Sequence, residues 1–355
     1  NRRILPEDCS QDKLVQQATR SRGVNTAAYD TATLVPPGEI LNSSGMPYQI
    51  FTPYYRKWLE YVDALTNRPL PIPLKQKSSP GLSKSVDAND LQMSRITIPW
   101  STGEISAQQQ LSDFVCRSKD YGSEKDIPSQ NATSLLSAHL SVGTISARQC
   151  LQQTISSPWS MDSWVRQLAW RDFYAHLLLN NPQLSRGLPF KPSTDHIPWR
   201  DDNEQFDRWC SGQTGFPFVD AGMRQLNSTG FMHNRLRMVT AQFLAKNLLI
   251  DWRRGERYFM SRLIDGDFPN NNGGWQWSAS TGTDAVPYFR VMNPFLQSKR
   301  FDPDARFIRL FIPELRKVKV ADIHNGLPAN RLYPKPLIDL VKSRQRVLDA
   351  FKKLR

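Results

Sequence analysis

The pattern of hydrophobic and polar positions is helical through most of this chain. After about Trp100, apolar residues recur three and four positions apart in segments such as residues 162–180 and 238–264, which is the spacing of amphipathic helices. The last such segment, Leu337 to Leu354, is amphipathic and basic. The pattern predicts a mainly α fold with one all-helical domain over residues 100–355, a size at which a helical body often encloses a ligand.

The beginning of the chain follows a different pattern. Residues 12–35 predict one helix followed by one short strand, and a lone helix and strand do not make a layered domain. We therefore expect residues 1–35 to be the end of a domain whose beginning lies outside this sequence. Residues 36–99 contain a stretch rich in Pro, Ser and Lys, which predicts an interdomain connector laid over the surface.

Composition narrows the classes of function. The formal net charge is +13, which favours a polyanionic partner, nucleic acid first, over an unspecialised basic surface. The four cysteines are scattered without a CxxC pair, so we expect neither zinc nor a disulfide framework, in keeping with a reducing compartment. No apolar run approaches the roughly 20 residues of a membrane span, and the N-terminus does not read as a signal peptide.

The segment "NATSLLSAHLSVGTIS" is the first of five that are richer in polar or aromatic residues than packing requires. Thr133, Ser134 and Ser137 stand where a helix would begin. Their hydroxyls and the backbone N–H groups could hold a phosphate. Simple N-capping by the same residues is the alternative.

The second segment, "WVRQLAWRDFY", carries an unusual helix face. Four side chains would lie along that face: Trp164, Gln167, Arg171 and Tyr174. Arg and Gln are seldom buried without partners, so the face indicates a pocket wall, which Trp170 could join. A surface stripe with two snorkelling side chains remains the alternative.

The third segment, "GFMHNRLRM", brings Asn234, Arg235, Arg237 and Met238 within five positions. These are polar and sulfur-bearing groups suited to a ligand. His233 has no partner at metal-ligand spacing, so we interpret it as structural.

The fourth segment, "LIDGDFPNNNGGWQWSASTGTDAVPYFR", begins with two carboxylates. Asp265 and Asp267 flank Gly266, and an arginine such as Arg237 could neutralise one of them. Further ligands at the spacing of a calcium loop are missing, so a metal is not expected; hydrogen bonds to ribose hydroxyls or to a ring N–H are as plausible. The amides of residues 270–272 suit a redox ring whose protonation changes.

The same segment contains Trp275 and Trp277. On a helix, residues two apart point about 200° from each other, so only one indole can face a pocket. If Trp275 is the one that points away, it could begin a chain of indoles toward solvent through Trp252 and Trp199. For each tryptophan taken alone, a core anchor is the alternative.

The fifth segment, residues 284–315, interleaves aromatic residues with Arg and Lys. This composition is consistent with the rim of a nucleic-acid site. Gln297, Lys299 and Arg300 are its members that we expect to be exposed.

Together these segments resemble the photolyase/cryptochrome family, and class I cyclobutane pyrimidine dimer (deoxyribodipyrimidine) photolyases most of all. Residues 214–259 and 263–290 match that family almost without gaps, and the likeness runs from about Leu34 to the C-terminus. The resemblance implies an α/β, Rossmann-like antenna domain, of which residues 1–35 would be the C-terminal remnant, then a connector and a helical domain that holds FAD folded on itself.

The resemblance also implies roles for individual residues. The cofactor-binding set would be Tyr121, Thr133, Ser134, Leu135, Leu136, Ser137, Trp164, Arg171, Asn234, Arg237, Asp265, Gly266, Asp267 and Asn271. The substrate-binding set would be Gln167, Trp170, Arg171, Tyr174, Asn234, Arg235, Met238, Trp277 and Gln297. Asn271 would lie beside flavin N5, Asp265 would pair with Arg237, and electrons would run through Trp275, Trp252 and Trp199. The relay, Asn271 and Gln167 form the catalytic set.

The function implied is light-driven DNA repair by a carbon–carbon lyase. Reduced flavin, excited by blue light, would pass an electron to a dimer in UV-damaged DNA, and the electron would return after the ring splits. The dimer would leave the duplex, as it does in photolyases. A monomer in the bacterial cytoplasm is expected. Only FAD would absorb light here, because most of the antenna domain is absent; whether the family's second chromophore would be a folate or a deazaflavin stays open.

One departure keeps two alternatives open. Gln167 stands where dimer photolyases usually carry a glutamate, so the site lacks a charge and a possible proton source. A (6-4) photolyase would suit this glutamine, but that group typically has a second histidine where Asn234 follows His233. Cryptochrome photoreceptors usually carry an extension after the helical domain, and this sequence ends after its basic helix. Dimer photolyase is the leading interpretation.

Overall fold

The described residues, 4–30, 32–64, 100–284, 289–326 and 332–354, fold into α-helices in this computed structural model. The helices are α1 (Pro6–Arg20), α2 (Phe51–Ala64), α3 (Gly103–Arg117), α4 (Tyr121–Glu124), α5 (Ser137–Val142), α6 (Ala147–Ile155), α7 (Asp162–Asn180), α8 (Asn203–Cys210), α9 (Pro217–Thr229), α10 (Asn234–Gln242), α11 (Trp252–Arg262), α12 (Phe268–Ala279), α13 (Pro294–Phe301), α14 (Arg306–Phe311), α15 (Val320–Asn325) and α16 (Leu340–Lys352). Short 3₁₀ turns cover Pro182–Arg186, Pro192–His196 and Pro313–Leu315. The predicted mainly α fold is confirmed.

The predicted strand near the N-terminus is wrong. Residues 24–30 and 32–35 form no strand, because no described segment offers them a partner, and a strand is stable only when it is paired. The backbone N–H groups of Leu34 and Val35 instead donate to the carboxylate of Asp172, at 3.0 Å each to Oδ2. The domain boundaries at 35 and 99 stay predictions, and residues 65–99 of the predicted connector lie outside the described residues.

The connector also contains a helix that the pattern analysis did not predict. In α2, Phe51, Tyr54 and Trp58 are buried, and the helix packs against α7. The Phe51 ring stacks on Trp170 at 3.6 Å between centroids and 5° between planes. The described part of the connector therefore belongs to the core of the molecule.

The helical segment 238–264 is interrupted in its middle. After α10 the chain makes a π-helical turn, Phe243–Leu248, and Leu249 takes a left-handed φ of 56° before α11 begins. Lys246 in this turn is buried and donates from Nζ to the carbonyl oxygen of Arg290 at 2.7 Å. Burial lowers the pKa of Lys246 to about 7, since a desolvated ammonium group is costly. The predicted C-terminal basic helix is present as α16.

The two largest hydrophobic clusters of the described residues meet where α7 contacts α12. One contains Trp164 and Phe173 of α7, and the other contains Trp275 of α12. At the contact, a Cβ atom on Gly273 would lie 2.1 Å from Cδ1 of Tyr174, so only glycine allows the two helices to approach this closely. The predicted site residues of both helices lie along this boundary.

The described ranges contain no membrane-spanning helix, no metal-binding cluster and no disulfide bond. None of their helices combines the length and apolar composition required to cross a bilayer. No group of three or more His, Cys, Asp or Glu residues is arranged there to hold a metal ion. The cysteines Cys9, Cys116, Cys150 and Cys210 are free thiols.

Candidate flavin and DNA-lesion site

The loop before α5 has the geometry of an anion-binding site. Leu135 has a positive φ of 55°, and Leu136 follows it with φ −83° and ψ −3°. Left- and right-handed residues in succession point neighbouring backbone N–H groups into one concavity, and a positive φ is costly for leucine. Two side chains of α3 hold the loop in place. Arg117 donates to the carbonyl oxygen of Thr133 at 3.0 Å, and Gln110 donates to that of Ser134 at 2.8 Å.

The predicted face of α7 exists, but two of its polar groups are already hydrogen-bonded. Trp164 is buried, Arg171 and Tyr174 are half-buried, and Gln167 is exposed. Nε2 of Gln167 donates to the carbonyl oxygen of Ser163 at 3.0 Å, within its own helix. Arg171 donates to the carbonyl oxygens of Leu140 and Ala32, the former at 3.2 Å. Arg171 thus joins α7 to both α5 and the N-terminal segment.

The predicted pair of Arg237 and Asp265 is confirmed. Nη2 of Arg237 contacts both carboxylate oxygens of Asp265, at 2.9 and 2.7 Å, and Nε donates to the carbonyl oxygen of Met232 at 2.7 Å. The Asp265 side chain is only 3% exposed and the Arg237 side chain 25%, so the carboxylate is well shielded from water. Such a pair fixes both side chains, because each charge would be costly alone.

The loop between α11 and α12 is held in place by the second carboxylate. Asp267 is the N-cap of α12 and accepts from the backbone N–H of Asn270 at 3.2 Å. The carbonyl oxygen of Gly266 accepts a hydrogen bond from Ser141 Oγ at 2.8 Å. These contacts connect the start of α12 to the α5 region.

Two adjacent glycines of α12 lie in different environments. Whereas Gly273 abuts Tyr174, a Cβ on Gly274 would meet no atom within 4 Å. Asn271, one turn earlier, donates through Nδ2 to the carbonyl oxygen of Glu256 at 3.1 Å. Asn234 at the start of α10 is exposed, and its described side-chain contact is the sulfur of Met238 at 3.9 Å.

The two tryptophans of α12 lie in different environments. Trp275 is 2% exposed, whereas Trp277 is half-buried. The Trp275 ring packs on Phe259 at 4.9 Å and on Trp209 at 6.0 Å. A Cβ on Gly255 would lie 2.1 Å from Cη2 of Trp275, so the indole lies directly against the backbone of α11.

The other two indoles of the predicted relay belong to the same core. Trp252 is fully buried, and Trp199 is partly buried and packs against that cluster. Trp209, also fully buried, was overlooked in the sequence. Its signal was available in "NEQFDRWC", where it lies three positions after Phe206.

Comparison with known proteins identifies this arrangement. A family model described as the FAD binding domain of DNA photolyase matches residues 164–353, and one described as DNA photolyase matches residues 1–74. The deoxyribodipyrimidine photo-lyase of Vibrio cholerae is 42% identical over 99% of this chain and 78% of its own length. The chain belongs to the DNA photolyase family.

Further comparisons, with two photolyases and one cryptochrome, support this assignment. The deoxyribodipyrimidine photo-lyase of Escherichia coli is 41% identical over 98% of this chain and 76% of its own length. The crystal structure of a bacterial class III photolyase from Agrobacterium tumefaciens superposes with a TM-score of 0.85 at 35% identity, covering 100% of this chain and 78% of that one. A Synechocystis cryptochrome superposes with a TM-score of 0.81 at 27% identity, covering 98% and 78%. The predicted family and helical FAD-binding domain are thereby confirmed.

The described residues fit the flavin that a photolyase binds. Gly274 has open space beside it, which any larger residue would begin to fill. The amide of Asn234 is exposed, and the backbone at Leu135 can bind an anion. Tyr121 and Trp164 both pack on Phe114, at 5.6 and 5.1 Å. These groups offer a cofactor open space, a polar partner and a backbone that can bind phosphate.

Two neighbouring residues at the start of α10 are already engaged in contacts within the protein. His233 is buried and accepts from the backbone N–H of Arg235 at 3.1 Å, and burial lowers its pKa to about 4, so it is neutral and structural as predicted. Arg235 pairs with Asp126 at 2.9 Å and lies 4.1 Å over the Phe301 ring. Its charge is therefore already shared within the photolyase.

The predicted exposure of the basic rim is only partly correct, because Gln297 differs from its neighbours. Lys299 and Arg300 are exposed as predicted, but Gln297 is half-buried. It lies one turn from Pro294 and from Phe301, which form the buried side of α13, so its helical position turns it partly inward. Its Oε1 atom is buried with no hydrogen-bond partner in the described ranges, and no described contact joins it to the rest of the site.

Proposed function

We propose that this photolyase repairs cyclobutane pyrimidine dimers in UV-damaged DNA by light-driven electron transfer from FAD. One observation carries the proposal: α12 offers both a support for the flavin and the start of an electron path for its light-driven reduction. Gly274 leaves open space at one side of the helix, and the Trp275 indole is buried against α11 at another. A single helix can therefore serve both as a flavin support and as the start of an electron path.

In this proposal the chain's own groups hold FAD in three places. The backbone N–H groups around Leu135 would bind the phosphates, because their geometry suits an anion. The Arg237–Asp265 pair and Asn271 would hold the ring system and fix its orientation. Gly274 would let the ring approach the helix. When bound and reduced, FAD supplies the electron that opens the cyclobutane ring under light.

The lesion would be held by the face of α7 and by Trp277. Trp170 and Trp277 offer aromatic surfaces on which pyrimidine rings pack. The amide of Gln167 can both donate to a carbonyl oxygen and accept from a ring N–H. To bind the base, it would break its present hydrogen bond to the carbonyl oxygen of Ser163. The rings of Trp170 and Trp277 would also keep water from the lesion, which reduces a competing loss of the electron.

DNA binding would rest on charge and on extrusion of the lesion. The net charge of +13 and the exposed Lys299 and Arg300 favour contact with phosphates. Photolyases extrude their target base from the duplex, and a damaged step unstacks at lower cost. The affinity should then fall with salt, with a slope of about −0.9 per phosphate contact on logarithmic axes. We further propose that one chain acts alone, as a monomer.

Repair of an oligonucleotide with a single thymine dimer tests the proposal. Chemically reduced, FAD-loaded protein is mixed with the oligonucleotide in blue light and, as the matched control, in the dark. We expect the dimer to disappear only in the light. Retention of FAD with neither binding nor repair of the damaged strand would contradict the proposal and favour a photoreceptor.

A further inference from the structure

One exposed residue of α7, Arg166, has no role in the site described so far. Within residues 163–178 of this helix, only Arg166 and Gln167 are exposed. Arg166 lies four positions before Trp170, so the two side chains project from the same side of the helix. The cation therefore lies at the edge of the helix face that we assign to the lesion.

The guanidinium of Arg166 lies over two aromatic rings of α2. Its Cζ atom is 4.9 Å from the ring centroid of Tyr55 and 5.2 Å from that of Phe51. The two rings stack on each other, with 5.5 Å between centroids and 15° between planes. A cation is attracted to an aromatic face. This contact holds the guanidinium without an oxygen acceptor, so its five N–H groups stay available for an anion.

Among the described residues, no oxygen acceptor competes for Arg166. It donates no hydrogen bond to them and has no carboxylate among them within ion-pair distance. Asp162, one turn earlier on α7, accepts a hydrogen bond from Oγ of Ser160 at 3.0 Å. The other arginines near the lesion face are already engaged: Arg171 donates to two carbonyl oxygens, and Arg235 is in an ion pair. Arg166 is thus held in place and keeps its charge for a partner.

Phe51 contacts the lesion face as well as this cation. The ring that lies under Arg166 also stacks flat on Trp170, at 3.6 Å between centroids. Phe51 is only 5% exposed, so its ring is fixed by the core and covers one face of the indole. A pyrimidine can then pack only on the parts of Trp170 that Phe51 leaves uncovered. One buried ring thereby sets the position of the cation relative to the indole.

We propose that Arg166 binds a backbone phosphate of the damaged strand beside the extruded lesion, and that Phe51 positions both this cation and the Trp170 ring. The proposal rests on the proposed function, in which the lesion packs on Trp170. A base that reaches Trp170 brings its own backbone to the edge of the same face. Arginine suits a phosphate there, because its guanidinium can donate two N–H groups to two oxygens. Such a contact fixes the register of the strand.

Binding of two DNA duplexes in the dark tests the cation. One duplex contains a single thymine dimer, the other has the same sequence without it, and affinities for FAD-loaded protein are measured over a range of salt. Arg166→Gln removes the charge and keeps a polar side chain. Arg344→Gln is the matched control, because it removes an exposed arginine from α16, a helix that packs against the π-helical turn.

We expect Arg166→Gln to bind the dimer duplex roughly three- to tenfold more weakly at low salt, and its salt slope to fall by about 0.9 in magnitude. The undamaged duplex should change by less than about twofold, since only an extruded lesion brings the strand to this face. Equal losses on the two duplexes, or an equal loss in Arg344→Gln, would identify a general surface charge and overturn the contact beside the lesion. Unchanged binding of the dimer duplex would overturn it as well.

Phe51→Leu tests the positioning role, because it removes the ring and leaves the charge unchanged. If Phe51 holds Arg166, the salt slope for the dimer duplex should fall toward that of Arg166→Gln, which a loss of packing alone does not produce. The double variant should bind about as weakly as Phe51→Leu, since the two effects are coupled. Val62→Ala shortens another buried side chain of α2 and should keep the wild-type slope. An unchanged slope in Phe51→Leu would overturn the positioning role. Tyr55→Leu, at a half-buried position, makes the same test if Phe51→Leu does not fold.

Failure of the underlying function would look different. Repair of the dimer duplex in blue light by chemically reduced wild-type protein is measured in parallel. Wild-type protein that retains FAD but neither prefers nor repairs the dimer duplex would contradict the proposed function, and the Arg166 contact with it. Normal repair by the wild type, together with wild-type affinity in Arg166→Gln, would contradict the Arg166 contact alone.

Discussion

The carboxylate of Asp172 accepts a hydrogen bond from the indole Nε1 of Trp58 at 2.9 Å, although the two residues are 114 positions apart. The same carboxylate accepts from the backbone of Leu34 and Val35. Asp172 is fully buried, and burial raises its pKa to about 6 from the usual 3.8. One residue of α7 thus anchors both the N-terminal segment and α2.

This anchor should make stability depend on pH. Between pH of about 4 and 6 the folded chain retains a proton on Asp172 that the unfolded chain has lost, so the free energy of unfolding falls as pH rises through this range. Above about pH 6 the contribution is constant. A rise in the pKa of Asp172 from 3.8 to about 6 corresponds to roughly 3 kcal/mol in the free energy of unfolding. Asp172→Asn should remove this slope while it keeps an oxygen acceptor.

Urea unfolding of wild type and Asp172→Asn between about pH 4 and pH 8 measures the difference in slope. The difference in slope separates the contribution of Asp172 from those of acids such as Asp220 and Glu256, whose pKa values burial also raises. If the two proteins keep the same slope, those other acids carry the dependence.

The adjacent glycines of α12 provide a matched pair of variants. Gly273→Ala places a Cβ into the Tyr174 ring, so we expect a loss of about 1–3 kcal/mol or more in the free energy of unfolding. Gly274→Ala meets no protein atom and should leave the apoprotein as stable, or more stable by up to about 1 kcal/mol, because alanine favours helix.

FAD titration distinguishes their functional effects. Gly274→Ala should weaken FAD binding, since its methyl group would occupy the space we assign to the flavin. Thermal unfolding of the apoproteins and fluorescence titration with FAD check both expectations. Unchanged FAD affinity in Gly274→Ala would mean that the flavin lies elsewhere.

Substitution of Trp275 should separate photoreduction from repair. In Trp275→Phe we expect reduction of oxidised FAD by light to fall to near the background, because phenylalanine is much harder to oxidise than tryptophan. Repair by pre-reduced protein should persist, since the electron for repair does not pass through Trp275. The smaller ring should cost on the order of 1–2 kcal/mol of stability.

Trp209→Phe is the control for the route of the electron. Trp209 also touches Trp275, at 6.0 Å, but it does not belong to the predicted relay. Transient absorption and steady illumination should show a much smaller effect than in Trp275→Phe. Equal effects would mean that Trp209 carries the current.

Gln167→Glu should increase the yield of repair per absorbed photon. The glutamate is ionised in the free protein, and burial beneath the lesion favours its protonated form, which can supply a proton to the pyrimidine radical as an amide cannot. Binding of undamaged DNA should weaken slightly, because a negative charge is added near phosphates. Quantum yields with a thymine-dimer oligonucleotide, together with affinities at fixed salt, measure both. A lower yield in the variant would show that the site is adapted to glutamine.

Local patterns were sufficient for helices such as α7 and for part of the site. The apolar period of 162–180 predicted α7, and the spacing of Trp275 and Trp277 predicted their different environments. The Arg237–Asp265 pair followed from the resemblance and from the need of a buried charge for a partner. These features depend on near neighbours or on residue types that have few acceptable surroundings.

Long-range and conformational features could not be predicted in this way. The burial of α2 depends on Trp58 meeting Asp172, and nothing near either residue signals the contact. The positive φ of Leu135 has no signal either, because a glycine would be the usual choice there. The predicted strand near Leu34 failed for the same reason, since its hydrogen-bond acceptor lies on a distant helix.

The two contacts of Arg171 have a thermodynamic consequence. Its guanidinium joins the carbonyl oxygen of Ala32 to that of Leu140, beside the loop that we expect to hold the flavin phosphates. Linkage between sites is reciprocal: if the cofactor steadies the α5 region and Arg171, it also protects the N-terminal segment from proteases. By the same coupling, detachment of that segment weakens the grip on the cofactor. Arg171 would then connect chromophore occupancy with the attachment of the N-terminal segment.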